Sequence, residues 1–177
     1  MVNSTSLLDD IMDVYEALNE TRLTGFHYKI LLTASLLYCL TALDVMLIGS
    51  VLPAIAAEWK LDKVTIGLLL SSGFVGMFFG AIIFGRLADV IGRKPTLAIV
   101  VVVESVFTAL CGLAYDVNSM ALLRFLAGIG LGGALPQPGV YVSEYVPAKY
   151  RGTFLGFIES SWVWGALLSL AFPIFLI

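Results

Sequence analysis

Long apolar stretches separated by short polar connections set the pattern of this chain. Five follow one another after residue 29, at about 30–57, 64–84, 96–115, 120–142 and 153–177. Each is near the roughly 20 residues that an α-helix needs to cross about 30 Å of hydrocarbon. They predict an all-α membrane protein with five transmembrane helices, and divide the chain into a polar segment, 1–29, and a bundle, 30–177. Within 1–29, Leu7, Leu8, Ile11, Met12, Tyr15 and Leu18 recur at helical spacing. This predicts a short amphipathic helix on the membrane surface or against the inner face of the bundle. Its polar face is acidic, which argues against anionic lipid. The segment lacks the basic start and cleavage site of a signal peptide. The triplets Asn3-Ser4-Thr5 and Asn19-Glu20-Thr21 match the glycosylation pattern, a coincidence if the segment is cytoplasmic.

Composition places the chain in a bilayer: of 177 residues 59% are hydrophobic, and the mean hydropathy is +0.97. The net charge of −3 says little about partners, because five of the thirteen acids lie before residue 21. No basic patch suggests nucleic acid. Cys39 and Cys111 fall inside apolar stretches without metal-ligand spacing, as small packing residues do. No nucleotide loop, metal cluster or nucleophile triad supports an enzyme, and no cofactor or metal is expected.

The polar connection Gly85–Lys94 carries the most information. Gly85 suits close approach to a neighbouring helix, Gly92 a tight reversal, and Pro95 the first turn of the next helix. Arg93 and Lys94 at a helix N-terminus run against the helix dipole. Topology explains them better, since short loops rich in Lys and Arg stay in the cytoplasm. With the N-terminus inside, Arg22, Lys29, Arg86, Arg93, Lys94, Lys149 and Arg151 are cytoplasmic and only Lys60 and Lys63 are outside, seven against two. Asp89 is then an ion-pair partner or a helix cap. An odd number of crossings leaves the C-terminus outside, and Phe172–Ile177 has no polar exit, as in a chain cut short.

Gly85-Arg86-Leu87-Ala88-Asp89-Val90-Ile91-Gly92-Arg93-Lys94 resembles the signature loop of the major facilitator superfamily of secondary transporters, with Val90 where that family usually has a basic residue. Glu144 with Arg151-Gly152 resembles the loop after helix four in its sugar-type and organic-acid-type members. Asp44, five residues before Gly49 and nine before Pro53, is similar to the first helix of its aromatic-acid and niacin-type proton symporters. Those carry Asp-Gly-x-Asp. Thr41 replaces the first acid, a departure that argues against an aromatic-acid substrate. Glu159-Ser160-x-Trp162 also resembles the niacin-like group, and the fifth crossing lacks the signature of drug/proton antiporters.

The resemblance implies a six-helix N-terminal half of 3+3 inverted repeats with its sixth helix missing. It implies a multi-pass plasma-membrane protein with a cytoplasmic N-terminus. Its partners would be a small solute, protons, the lipid bilayer and the carrier's C-terminal helices, with no nucleic acid. The implied function is proton-coupled symport of an organic acid or sugar-like metabolite by alternating access. An uncoupled facilitator or exporter, and a non-transporting sensor or fragment, are the alternatives. Gly85, Arg86, Asp89, Gly92, Arg93, Lys94, Glu144 and Arg151 would form the cytoplasmic gating loops, as a salt-bridge cluster holding one access state closed or as solvated charges.

Ionisable residues inside a membrane are costly, about 2.5–3.5 kcal/mol or more each, and are therefore candidates for function. Four qualify: Asp44, Glu104, Arg124 and Glu159. Asp44 shares a helical face with Thr41 and Ile48, and Arg124 lies in the outer third of the fourth crossing. In the family these two helices line the central cavity, which implies an Asp44–Arg124 pair. Such a pair suits proton coupling, because moving the guanidinium away releases a proton-accepting carboxylate. A permanent bridge between the two helices is the alternative. Glu159, beside Trp162 and Trp164, would bind a polar solute, take a proton or make an interhelical bond. Glu104, on what the family makes a support helix, is a packing residue, a silent acid or a transport residue. Gly67, Gly73, Gly76, Gly80 and Gly85 suit packing, with Gly76-xxx-Gly80 fit for close contact. The glycine-rich run from Arg124 to Pro136 suits a helix that bends and slides.

Overall fold

The computed structural model describes residues 23–176, by backbone alone beyond 171. The amphipathic pattern at 7–18 and both glycosylation triplets lie outside the described residues. Six α-helices follow in order: α1 Gly25–Glu58, α2 Lys63–Ile91, α3 Arg93–Cys111, α4 Val117–Ala134, α5 Gln137–Tyr145 and α6 Ala148–Leu176. There is no strand among the described residues. Leu135 and Pro136 alone separate α4 from α5, and the two make one crossing. Among the described residues, five spans are thus long and apolar enough to cross a bilayer.

Local chemistry sets the helix ends. Asp62 accepts the Thr65 amide at 3.3 Å and caps α2, and Asp116 accepts the Ser119 amide at 3.2 Å and caps α4. The Thr65 and Ser119 hydroxyls, first among several donors, hold these two carboxyls below the usual carboxylate range. Pro95 lies in the first turn of α3, where its missing N–H costs nothing.

The helices pack as α2 against α4 and α1 against α6, with α3 laid on α4. In crossing order these are the second with the fourth and the first with the fifth. Exchanging one for four and two for five turns one pair into the other, the relation that inverted three-helix repeats produce. The fourth crossing is central: 50% of its most apolar stretch is buried, against 17–22% in the other four.

Lipid tails are as apolar as the side chains, so close backbone contact must hold these seams. Gly76 and Gly80 of α2 lie against the Phe125 and Ile129 carbonyls of α4, and Gly128 and Gly132 of α4 lie against those of Gly73 and Met77. On the other seam Gly165 of α6 faces the Cys39 carbonyl and Ala42 of α1, and Ser50 Oγ donates to the Ser169 carbonyl at 3.0 Å.

Two expectations at the basic connection are corrected. Gly85 makes no close approach, since nothing lies within 4 Å of where its Cβ would stand. Nor is 85–94 a connection lying outside the helices. Phe84 and Ala88 are buried and keep the end of α2 docked, so the helix runs to Ile91 and only Gly92, at φ 92°, breaks it before α3.

The seam makes a direct prediction. Gly132→Ala forces a methyl into the Met77 backbone and should cost at least about 1–3 kcal/mol, the range for overpacking. Gly85→Ala should be neutral. Thermal unfolding of the two variants in detergent checks both.

Candidate functional site

Three helices converge on one buried polar group. The inward face of α1 presents Thr41 and Asp44, 1% and 5% exposed, one turn apart above Ile48. Arg124 of α4, 7% exposed, reaches the same point from one turn before Gly128, which packs on the α2 backbone at Gly73. Arg124 Nη1 donates to Asp44 Oδ1 at 3.4 Å, and Thr108 Oγ1 of α3 donates to Asp44 Oδ2 at 2.8 Å. Both carboxylate oxygens are thereby engaged, one by a charge and one by a hydroxyl. Breaking such a pair from one side strands the other charge in low dielectric.

Glu104, one turn from Thr108 on α3, is 8% exposed and belongs to the same neighbourhood. Asp44 bonds Thr108, and Thr41 lies one turn before Asp44 as Glu104 lies one turn before Thr108, so the Thr41 and Glu104 side chains stand at about the same level. The Glu104 Oε2 and the Thr41 hydroxyl are both buried without a hydrogen-bond partner among the described residues. The backbone of Gly130 packs directly on that of Glu104, which brings α3 onto α4 here.

Two hollows open on Arg124. One, of about 350 Å³, lies between α1, α3 and α4 and is lined by Asp44, Thr108, Trp59, Met120 and Arg124. A smaller one, about 90 Å³, lies between α1, α2 and α4 and includes Met46, Phe74, Met77 and Arg124. The Arg124 guanidinium therefore stands between two spaces.

Glu159 and Trp162 are elsewhere. Glu159 is exposed and accepts a hydrogen bond from Tyr38 at 3.1 Å, and the Tyr38 ring packs on Trp162 with centroids 5.1 Å apart. Tyr38 looks toward α6 while Asp44 looks toward α3 and α4, so α1 carries two polar faces and Glu159 does not join the ion pair.

At the end of the bundle that holds Gly92, Arg93 Nε pairs with Glu144 Oε1 at 3.2 Å, tying the start of α3 to α5. The larger cluster expected there does not form among the described residues. Arg86 and Asp89 are exposed on the last turns of α2 without an ion pair among the described residues, because the helix continues past them. Arg151 Nε donates instead to the Val146 carbonyl at 2.9 Å, closing the turn between α5 and α6. Lys94 lines a hollow of about 350 Å³ with Phe26, Gln137 and Tyr141.

Sequence reasoning overlooked Thr108 and Tyr38. Thr108 had a signal, a hydroxyl four residues after Glu104 in an apolar run; Tyr38 had none beyond its position on α1.

The match to a family model decides the lineage. The model of the Major Facilitator Superfamily matches residues 34–177. The chain belongs to that superfamily. Among facilitator sequences, a benzoate transport protein of Acinetobacter baylyi is 33% identical over 88% of this chain and 34% of its own length. The niacin transporter NiaP of the same organism is 36% identical over 94% of this chain and 38% of its own. The chain thus spans about a third of the length of these facilitators. In three dimensions it is similar to a bacterial homologue of the human lysosomal transporter Spinster in an inward-facing, occupied conformation, with TM-score 0.76, 25% identity, and 84% of this chain and 32% of that one covered. As a facilitator with five apolar spans, it is a multi-pass membrane protein. Both sequence relatives are named for aromatic acids.

Arg124→Leu leaves Asp44 buried and unpaired, and should destabilise the fold by about 3–5 kcal/mol. A second change, Asp44→Asn, should recover part of that loss. Unfolding of the single and double variants measures the recovery.

Proposed function

We propose that this chain forms part of a plasma-membrane secondary transporter, N-terminus inside, that brings a small aromatic carboxylate into the cell with a proton by alternating access. One observation carries the reading: the buried Asp44–Arg124 contact, which joins the first and fourth crossings beside a hollow in the size range of small-molecule sites. Arg124 offers a planar fork that suits any carboxylate, and in the solute-free state Asp44 occupies it. An arriving carboxylate competes for that fork. Asp44 then loses its counter-charge and takes a proton, which makes solute entry and proton entry one event. When the solute leaves on the other side, Arg124 returns to Asp44 and the proton is released.

The names of the relatives support the substrate class, since benzoate and niacin are each a single ring bearing one carboxylate. The seven-to-two distribution of Lys and Arg supports the orientation. Arg93–Glu144 serves as the cytoplasmic latch. As a surface pair worth about 0–1 kcal/mol it biases the access equilibrium without locking it. The carrier's C-terminal helices complete the cavity, and Tyr38, Glu159 and Trp162 line its wall on the α6 side.

In the intact carrier, Asp44→Asn should lose accumulation of radiolabelled benzoate or niacin driven by an inward proton gradient, with solute exchange falling far less. If Asp44→Asn still accumulates solute against its gradient when driven by pH, the coupling role is wrong and an uncoupled facilitator takes its place.

A further inference from the structure

Two carboxyls and one guanidinium share the buried group, and the guanidinium is spent on Asp44. Glu104 is left over. It is 8% exposed, its Oε2 has no partner among the described residues, and Thr41, whose hydroxyl is also unpartnered, stands at the same level one turn from Asp44. The elements packed against it bring no second cation. From α1 come Asp44 and Thr41, and from α4 comes Arg124, already paired. The Lys63, Arg86 and Asp89 of α2 lie only toward its ends, and α3 has Arg93 and Lys94 at its start and Cys111 at its end. The Gly130 contact pins the Glu104 backbone, so the side chain cannot leave by a small shift of α3. Glu104 also stands one turn, about 6 Å, nearer the Gly92 end of the bundle than Thr108, the residue that marks the level of Asp44.

We infer that Glu104 is a second proton-holding site, which receives the proton from Asp44 through the Thr41 hydroxyl and passes it toward the Gly92 end of the bundle. The inference rests on the proton-symport reading. While Asp44 and Arg124 are in contact, Glu104 is a carboxylic acid with its proton on Oε2. Its O–H bond breaks first and the proton goes to water on the Gly92 side, leaving a carboxylate. Asp44, protonated during solute entry, then gives up its proton: its O–H bond breaks, Thr41 Oγ1 accepts that proton and donates its own, and a new O–H bond forms on Glu104. Asp44 returns to Arg124 as a carboxylate. One proton has moved, and both acids are as they began. A packing acid would never titrate in the cycle. A relay acid must.

The test uses the intact carrier in lipid bilayers. Infrared spectra across a pH titration, with no solute present, should show a carboxylic-acid carbonyl band in the parent and in Asp44→Asn/Arg124→Leu, which removes both partners of the pair, and no such band when Glu104→Gln is added to that variant. In transport of radiolabelled benzoate or niacin, a gradient of about one pH unit gives about tenfold accumulation per coupled proton. Glu104→Gln should lose that factor and flatten the pH profile, and Glu104→Asp should restore part of it. If the band is absent in the parent, or survives when Glu104→Gln is added to Asp44→Asn/Arg124→Leu, Glu104 holds no proton and the inference falls, even if Glu104→Gln alone fails to fold. Unchanged accumulation and pH profile in Glu104→Gln also overturn it. When Asp44→Asn loses coupling and Glu104→Gln does not, only the relay is wrong; when neither loses it, the symport reading is wrong as well.

Discussion

Arg124 cannot remain between helices in a membrane without a counter-charge, and the rest of the bundle is arranged so that Asp44 supplies it at 3.4 Å. The consequence is geometric before it is chemical. The pair fixes the rotation of α1 and α4 about their axes, since a turn of either helix would carry a charge into lipid. Thr108 fixes α3 to the same point through the second oxygen of Asp44. Three helices thereby share one polar joint.

That joint matters more because of how the helices divide. α1 and α6 form one packed layer, and α2, α3 and α4 another, each held by small residues that let backbones touch. Between the layers α1 meets α2 and α4 only sparsely, and α5 leans on α1 and α6. A glycine seam is tight yet smooth, whereas an ion pair has two distinct states, closed or open. The construction combines stiff layers with one bistable contact between them, which is what an access-switching carrier requires. The inverted relation of the two main seams gives the same design on both sides of the pair.

Much of this was legible in the residues. Five apolar stretches could only be spans, and the expense of an acid and a guanidinium inside them singled out Asp44 and Arg124. The Gly76-xxx-Gly80 spacing named the tightest seam, because glycines spaced four apart share one helical face. What the sequence concealed is what depends on the far side of a contact. Gly85 has the same composition signal as Gly80 but faces open space. Arg151 has the charge to join Arg93 and Glu144, yet it donates to the Val146 carbonyl instead. Glu159 and Asp44 are both intramembrane acids, and only the face on which each is carried separates an exposed acid bonded to Tyr38 from a buried one bonded to Arg124. Glu104 read as a support residue from its helix number, and its place one turn from Thr108 in the buried group required the packing of α3 on α4 at Gly130.

The central claim is that the contact between Asp44 and Arg124 opens and closes with solute. Structures of the intact carrier determined without solute and with benzoate or niacin bound test it most directly. The account predicts the pair in contact in the solute-free carrier, and Arg124 turned onto the solute carboxylate, away from Asp44, in the bound one. The same Asp44–Arg124 contact in both structures would contradict it and leave the pair a fixed brace.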